Sequence, residues 1–171
     1  LSPYGVEKQV NEQYSDLYRT LYHTSCLGQR FFNVYGPRQD PKSPYAGVIA
    51  LFVDRIADNK PLTVFGDGEQ TRDFIYIGDV ARANVAALQK PVEGACNIGT
   101  GYKTSLLDLI ETLSELTGNR PQINHDQPRE GDIRHSLAVV DKMNQQLEIC
   151  AEVELSLGLR RLLDSIGYIC P

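Results

Sequence analysis

No run approaching the roughly 18 consecutive apolar residues of a membrane span occurs in this sequence. Its opening, Leu1-Ser2-Pro3-Tyr4, has neither the charged nor the apolar region of a secretory leader. The default expectation is a cytoplasmic protein with no membrane partner. Basic residues are in deficit, 17 Lys and Arg against 22 Asp and Glu, for a formal net charge of −5. That balance excludes general nucleic-acid binding, which needs an excess of cations on one face, so any phosphate ligand has to be met by individually placed arginines. Cysteine and histidine are sparse and scattered. Cys26, Cys96, Cys150 and Cys170 form no CxxC pair, with only His23, His125 and His135 to join them. No metal site is expected, and the thiols read as reduced, three mostly buried and Cys170 in a tail. Internal repeats are absent as well.

What is present suffices for one domain. A chain of 171 residues, 42% of them apolar, buries about 70% of its unfolded surface without disulfides or metals. Val6, Val10, Tyr14, Leu17 and Leu21 recur at helical spacing, with Glu7, Gln9, Asn11, Glu12, Asp16 and Arg19 on the other face. This predicts an amphipathic helix with Ser2 as N-cap and Pro3 as its first residue. Cys26 to Val34 predicts a buried strand stopped by Gly36-Pro37, and a loop continues through Pro41 and Pro44. A helix is expected over 47–59, with Val48, Phe52, Val53 and Ile56 inward, then a strand at Leu62 to Phe65 and a turn at Gly66-Asp67-Gly68. A strand near Asp73 to Ile77 leads into a helix from about Asp79 to Gln89, and Cys96 to Gly99 is a further strand. Ser105 caps a helix with Leu106, Leu109, Ile110, Leu113 and Leu116 on its apolar face, ended by Gly118 and Pro121. A polar loop from Asp126 to Asp132, a strand near Leu137 to Val140, and helices near 141–150 and 154–166 complete the expectation. Strands alternating with helices mean an α/β domain.

Tyr4 and Lys8 stand one helical turn apart, on the same face. A free tyrosine has a pKa near 10, and an ammonium held close lowers that value by roughly 1–3, so such a pair can act as a general base near neutral pH. By itself a YxxxK match equally fits a core tyrosine beside a solvated lysine. The segment Ser2-Pro3-Tyr4-Gly5-Val6-Glu7-Lys8 nevertheless resembles the catalytic segment of the extended short-chain dehydrogenase/reductases, in their nucleotide-sugar epimerase and dehydratase branch. Further motifs match in order: Arg30-Phe31-Phe32-Asn33-Val34-Tyr35-Gly36-Pro37-Arg38, Gly66-Asp67-Gly68-Glu69-Gln70-Thr71-Arg72-Asp73-Phe74, Asn97-Ile98-Gly99-Thr100-Gly101 and Arg129-Glu130-Gly131-Asp132. The likeness covers nearly the whole chain but only the carboxy-terminal half of the family, and is strongest toward UDP-sugar 4-epimerases.

That resemblance implies a truncated Rossmann-type fold: a carboxy-terminal substrate-binding lobe over about 41–171, plus a remnant of the parallel sheet and the YxxxK helix over about 1–40. It implies that Tyr4 takes the proton of a sugar 4-hydroxyl while hydride leaves C4 for a nicotinamide, and that Lys8 lowers the tyrosine pKa and holds the nicotinamide ribose. Arg72 and Arg129 match the family's diphosphate-binding arginines, whose planar forks of donors suit phosphate oxygens. Asn33 matches a residue of the diphosphate–sugar region and Asp132 one that accepts hydrogen bonds from the uridine ribose. Asp67, Asp73 and the neighbouring glycines read as turn formers. Gly99-Thr100-Gly101 lacks the GxGxxG spacing and follows the wrong strand, so no NAD site is expected there. The chain begins without methionine almost on top of Tyr4, which reads as a fragment, inactive alone. Its expected partners are a UDP-sugar, a second copy of the chain and a separate cofactor-domain polypeptide, with NAD in the intact enzyme. A 4,6-dehydratase, decarboxylase or reductase of the same family, and a stand-alone non-catalytic nucleotide-sugar-binding or oligomerisation module, remain open alternatives.

Overall fold

The computed structural model describes residues 3–43 and 45–168. Helix α1 (Pro3–Tyr22) leads into β1 (Leu27–Phe31) and β2 (Asn33–Tyr35), then α2 (Val48–Ala57), β3 (Leu62–Phe65), β4 (Thr71–Arg72) and β5 (Phe74–Tyr76). The order continues with α3 (Ile77–Gln89), β6 (Gly94–Ile98), β7 (Thr104–Ser105), α4 (Leu106–Thr117), β8 (Ile123–Asp126) and α5 (Leu155–Ser165). The expected α/β class is borne out. The N-cap assigned to Ser2 lies outside the described residues.

Three ladders are parallel: β1 with β6, β2 with β5 and β3 with β8. The fourth, β4 with β7, is antiparallel. The first two are continuous in the chain. Phe32 N donates to Ile98 O, and Asn33 N, one residue later, to Asp73 O, so the chain exchanges one neighbour for the next at Phe32. Along β5 the two-residue alternation sends Phe74 and Ile75 to opposite faces. Phe74 joins a core built from α2, β3, α4 and α5, with Ile56, Leu62, Leu113 and Leu159 at its centre. Ile75 joins a second core with Val80, Ile98, Met143 and Leu147. The α4 termini follow from side-chain chemistry: Ser105 and Asp108 form a reciprocal capping box, and Gly118 ends the helix at φ 67°.

Four expectations need correction. The strand through Cys26 to Val34 is not buried. Residues 27–31 are half-buried to exposed and Phe31 is 49% exposed, because among the described residues β1 has a strand on one edge only and α1 covers little of its face. Leu137 to Val140 is no strand. It is an irregular segment pinned by Ala138 N donating to Asp73 and Asn97 Nδ2 donating to Val139 O. The helix near 141–150 is shorter, a π-helical turn over Met143–Leu147 that sinks Met143 and Leu147 into the second core. Of the cysteines, Cys96 alone among the described ones is buried, Cys26 is half-buried and Cys150 exposed; Cys170 lies outside the described residues. The sequence reading also missed β8, whose Ile123-Asn124-His125-Asp126 offers a single apolar side chain.

Candidate functional site

Asp73 explains why the loops around the site hold their shape. This fully buried carboxylate accepts from Thr100 N at 2.8 Å, Thr100 Oγ1 at 2.7 Å, Gly101 N at 2.9 Å and Ala138 N at 3.2 Å. The two turn N–H groups are thereby taken by the protein's own anion. A Cβ at Gly99 would lie 2.4 Å from the Ala138 Cβ and 2.9 Å from Asp73 Oδ2, so the turn is filled by the protein itself. Among the described residues this turn forms no dinucleotide cradle. The turn role read for Asp67 is also seen: Oδ1 accepts from Glu69 N, and Arg134 forms a bidentate pair that holds the carboxyl below its ordinary range.

Tyr4 and Lys8 are neighbours, as their spacing required. Lys8 Nζ lies 4.9 Å from the centroid of the Tyr4 ring. Both line a groove of about 720 Å³ between α1 and β1, together with Glu12, Gly28, Arg30 and Phe31. Glu12 and Arg30 tie helix to strand through two 2.6 Å hydrogen bonds. The Arg30 bond holds the Glu12 carboxyl below its ordinary value. Tyr4 is 67% exposed, so the pair faces open space.

Asn33, Arg72, Arg129 and Asp132 line one cleft of about 550 Å³. Tyr4 reaches an adjoining cavity that it shares with Asn33, Arg72 and Asp132. Lys8 lines neither space, only the groove behind Tyr4. Arg72 is the most enclosed of the charges, its side chain 15% exposed, with Nη1 donating to Thr71 O at 2.9 Å and Nη2 meeting Asp132 Oδ1 at 3.0 Å. Two residues read as separate ligand contacts are thus ion-paired to each other. The Arg129 guanidinium carbon sits 3.9 Å from the centroid of the Phe65 ring.

Three cleft residues escaped the sequence reading. Gln70 is buried and donates from Nε2 to Phe65 O at 2.7 Å, bracing the strand end. Phe65 supplies the aromatic face, and Arg55 adds a third guanidinium from α2. Arg55 stands four residues after the exposed Leu51, so both lie on the outward face of a helix whose other face, Ile49, Phe52, Val53 and Ile56, is buried. That break in an apolar helix was the available signal.

The family model of the NAD dependent epimerase/dehydratase family matches residues 1–99. The chain is 43% identical over 164 residues to a putative UDP-glucose 4-epimerase of Methanocaldococcus jannaschii, covering 96% of this chain and 53% of that protein. Among solved structures, a UDP-glucose 4-epimerase of Thermotoga maritima, determined with UDP-glucose, superposes with a TM-score of 0.94 at 37% identity, over 98% of this chain and 54% of that one. A UDP-glucuronic acid 4-epimerase of Bacillus cereus, determined with UDP-glucuronic acid and NAD, gives 0.88 at 36% identity, over 98% and 53%. The chain therefore spans about half the length of the relatives it matches.

Proposed function

The chain belongs to the NAD-dependent epimerase/dehydratase family, and from that premise we propose that it is the substrate-side portion of a UDP-sugar 4-epimerase. The carrying observation is the convergence of Asn33, Arg72, Arg129 and Asp132 on one cleft whose neighbouring cavity is bordered by Tyr4. The cleft carries three guanidinium groups against one carboxylate, a net positive site in an acidic protein. Diphosphate is the ligand this charge suits. Asp132 exchanges Arg72 for a ribose hydroxyl when the diphosphate arrives, and Asn33 contacts the ligand between diphosphate and sugar. Tyr4 Oη takes the proton of the sugar hydroxyl, with the Lys8 ammonium held 4.9 Å from the centre of its ring. Hydride chemistry belongs to NAD. The Gly99–Gly101 turn is filled by the protein itself, and in this reading the cofactor is held by a lobe outside the described residues that meets this chain at Tyr4 and Lys8. Residues 1–40 are the helix-and-sheet part facing that lobe, extended by the paired strands β5 and β6, and 41–171 are mostly the substrate lobe.

Calorimetric titration with UDP against uridine tests the site. Two charge-assisted arginine contacts of about 1.5–3 kcal/mol each support UDP binding at roughly millimolar to high micromolar concentration. The preference for UDP over uridine disappears in Arg72→Ala and Arg129→Ala. Equal, negligible binding of both ligands would leave only the fold. The 171 residues assayed by themselves, with NAD and UDP-glucose added, are expected to give no UDP-galactose. Interconversion that Tyr4→Phe abolishes would show that the chain is catalytically sufficient.

A further inference from the structure

Resting on that reading, we propose that Arg129 and Phe65 form a latch that holds the cleft apart from its neighbouring cavity between ligands, released when a phosphate group takes the arginine. The guanidinium lies 3.9 Å from the ring centroid, so the cation spends itself on the aromatic face. Arg129 and Phe65 both line the 550 Å³ cleft and also a neighbouring cavity of about 670 Å³ that extends toward His125 and Pro128. With Gln70 and Asp132, which line both as well, the stacked pair stands between the two spaces. Arg129 opens a short turn closed by Asp132 N donating to its carbonyl at 3.2 Å. Within that turn Gly131 has φ 79°, and a Cβ there would meet nothing within 4 Å. At Gly131 the turn is open, so the contacts that hold it are those of Arg129 and Asp132 at its two ends. At its other end, Asp132 holds Arg72. One four-residue turn thus engages both anion-binding arginines at once, one by stacking and one by ion pairing. A phosphate oxygen offers Arg129 a charge-assisted hydrogen bond, stronger than an exposed cation–π contact. Its arrival lifts the guanidinium from Phe65, moves the turn and joins the two spaces.

The latch makes Phe65 a positioning residue that competes with the ligand. The test uses inorganic pyrophosphate, which carries the charge and no base, on the wild-type chain, Phe65→Leu and Phe65→Tyr. Removing the ring frees Arg129, so pyrophosphate binds about two- to fivefold more tightly to Phe65→Leu, while Phe65→Tyr keeps the wild-type affinity. The Arg129 Nε–H resonance, shifted upfield by the ring in the free protein, moves downfield on saturation with pyrophosphate and in Phe65→Leu without ligand. Phe65→Met serves as the ringless variant if Leu fails to fold. Unchanged or weaker pyrophosphate binding in the folded ringless variant, or an Arg129 resonance indifferent to loss of the ring, overturns the latch. Failure of both pyrophosphate and UDP to bind the wild type would instead sink the nucleotide-sugar reading, and the ligand-free resonance comparison still decides whether the stack exists.

Discussion

Three separate segments hang on Asp73: its own strand end, the Thr100–Gly101 turn and Ala138. Every group facing its two oxygens is a donor. In Asp73→Asn one oxygen becomes an amide that points N–H at N–H, and the variant is expected to lose about 3 kcal/mol of unfolding free energy, read by denaturant titration. Tyr35 poses the opposite problem. Its ring is buried against Tyr76 and its hydroxyl reaches Leu155 O at a long 3.4 Å. Burial foremost, with the nearby Asp79 charge, raises its pKa well above the ordinary 10.0. The unfolded chain then ionises before the folded one, so stability from this group is complete below pH about 10 and falls as pH climbs past it. Tyr35→Phe should cost about 0.5 kcal/mol at neutral pH and flatten the alkaline loss, which thermal melts at pH 8 and pH 11 would compare.

Helix α1 shows what periodicity reveals and what it leaves out. The apolar stripe through Val6, Val10, Leu17 and Leu21 is where the spacing put it, yet the helix buries no residue. It leans on the sheet by its polar edge, through Glu12 and Arg30 and through Arg19 and Glu93. A repeat of 3.6 residues identifies an apolar face but not what covers it. With so little packing, α1 should show the fastest amide exchange of the helices. Glu12→Gln should destabilise by under about 1 kcal/mol at neutral pH, since the pair is partly solvated. That difference is present above the ordinary carboxyl value of 4.5 and vanishes as pH falls through the lower folded value. Elsewhere legibility followed local chemistry. Ser105, Asp108 and Gly118 set the ends of α4 by contacts within a few residues, so they could be read from the sequence. Strand β8 exists because β3 pairs with it, and Leu137 to Val140, richer in β-formers, is irregular because among the described residues no ladder partner meets it. Both outcomes were decided by tertiary pairing.

At the scale of the molecule the candidate site was legible as residue types and not as a circuit. The motifs named Asn33, Arg72, Arg129 and Asp132, which do share a cleft. That Arg72 pairs with Asp132 and that Arg129 rests on Phe65 are contacts between segments some 60 residues apart, which the pattern of neither segment carries. The α1 stripe, on the side away from the sheet, suits a second copy of the same helix in a self-complementary contact. Sedimentation should find dimers that Leu17→Glu converts to monomers; a monodisperse wild-type monomer at high concentration would count against this.

The strand pairing described above also dictates the order in which the chain can organise itself. Leu27 pairs with Gly94, Leu62 with Ile123, and Asn33 with Phe74. None of these parallel ladders can form from a local hairpin, and each closes a long loop before its contacts repay the lost chain entropy. Helix α4, with its cap chemistry contained within its own length, needs no such closure. In stopped-flow refolding, helical circular dichroism should therefore develop before the tyrosine signal of Tyr35 and Tyr76, whose mutual contact waits on the pairing of β2 with β5.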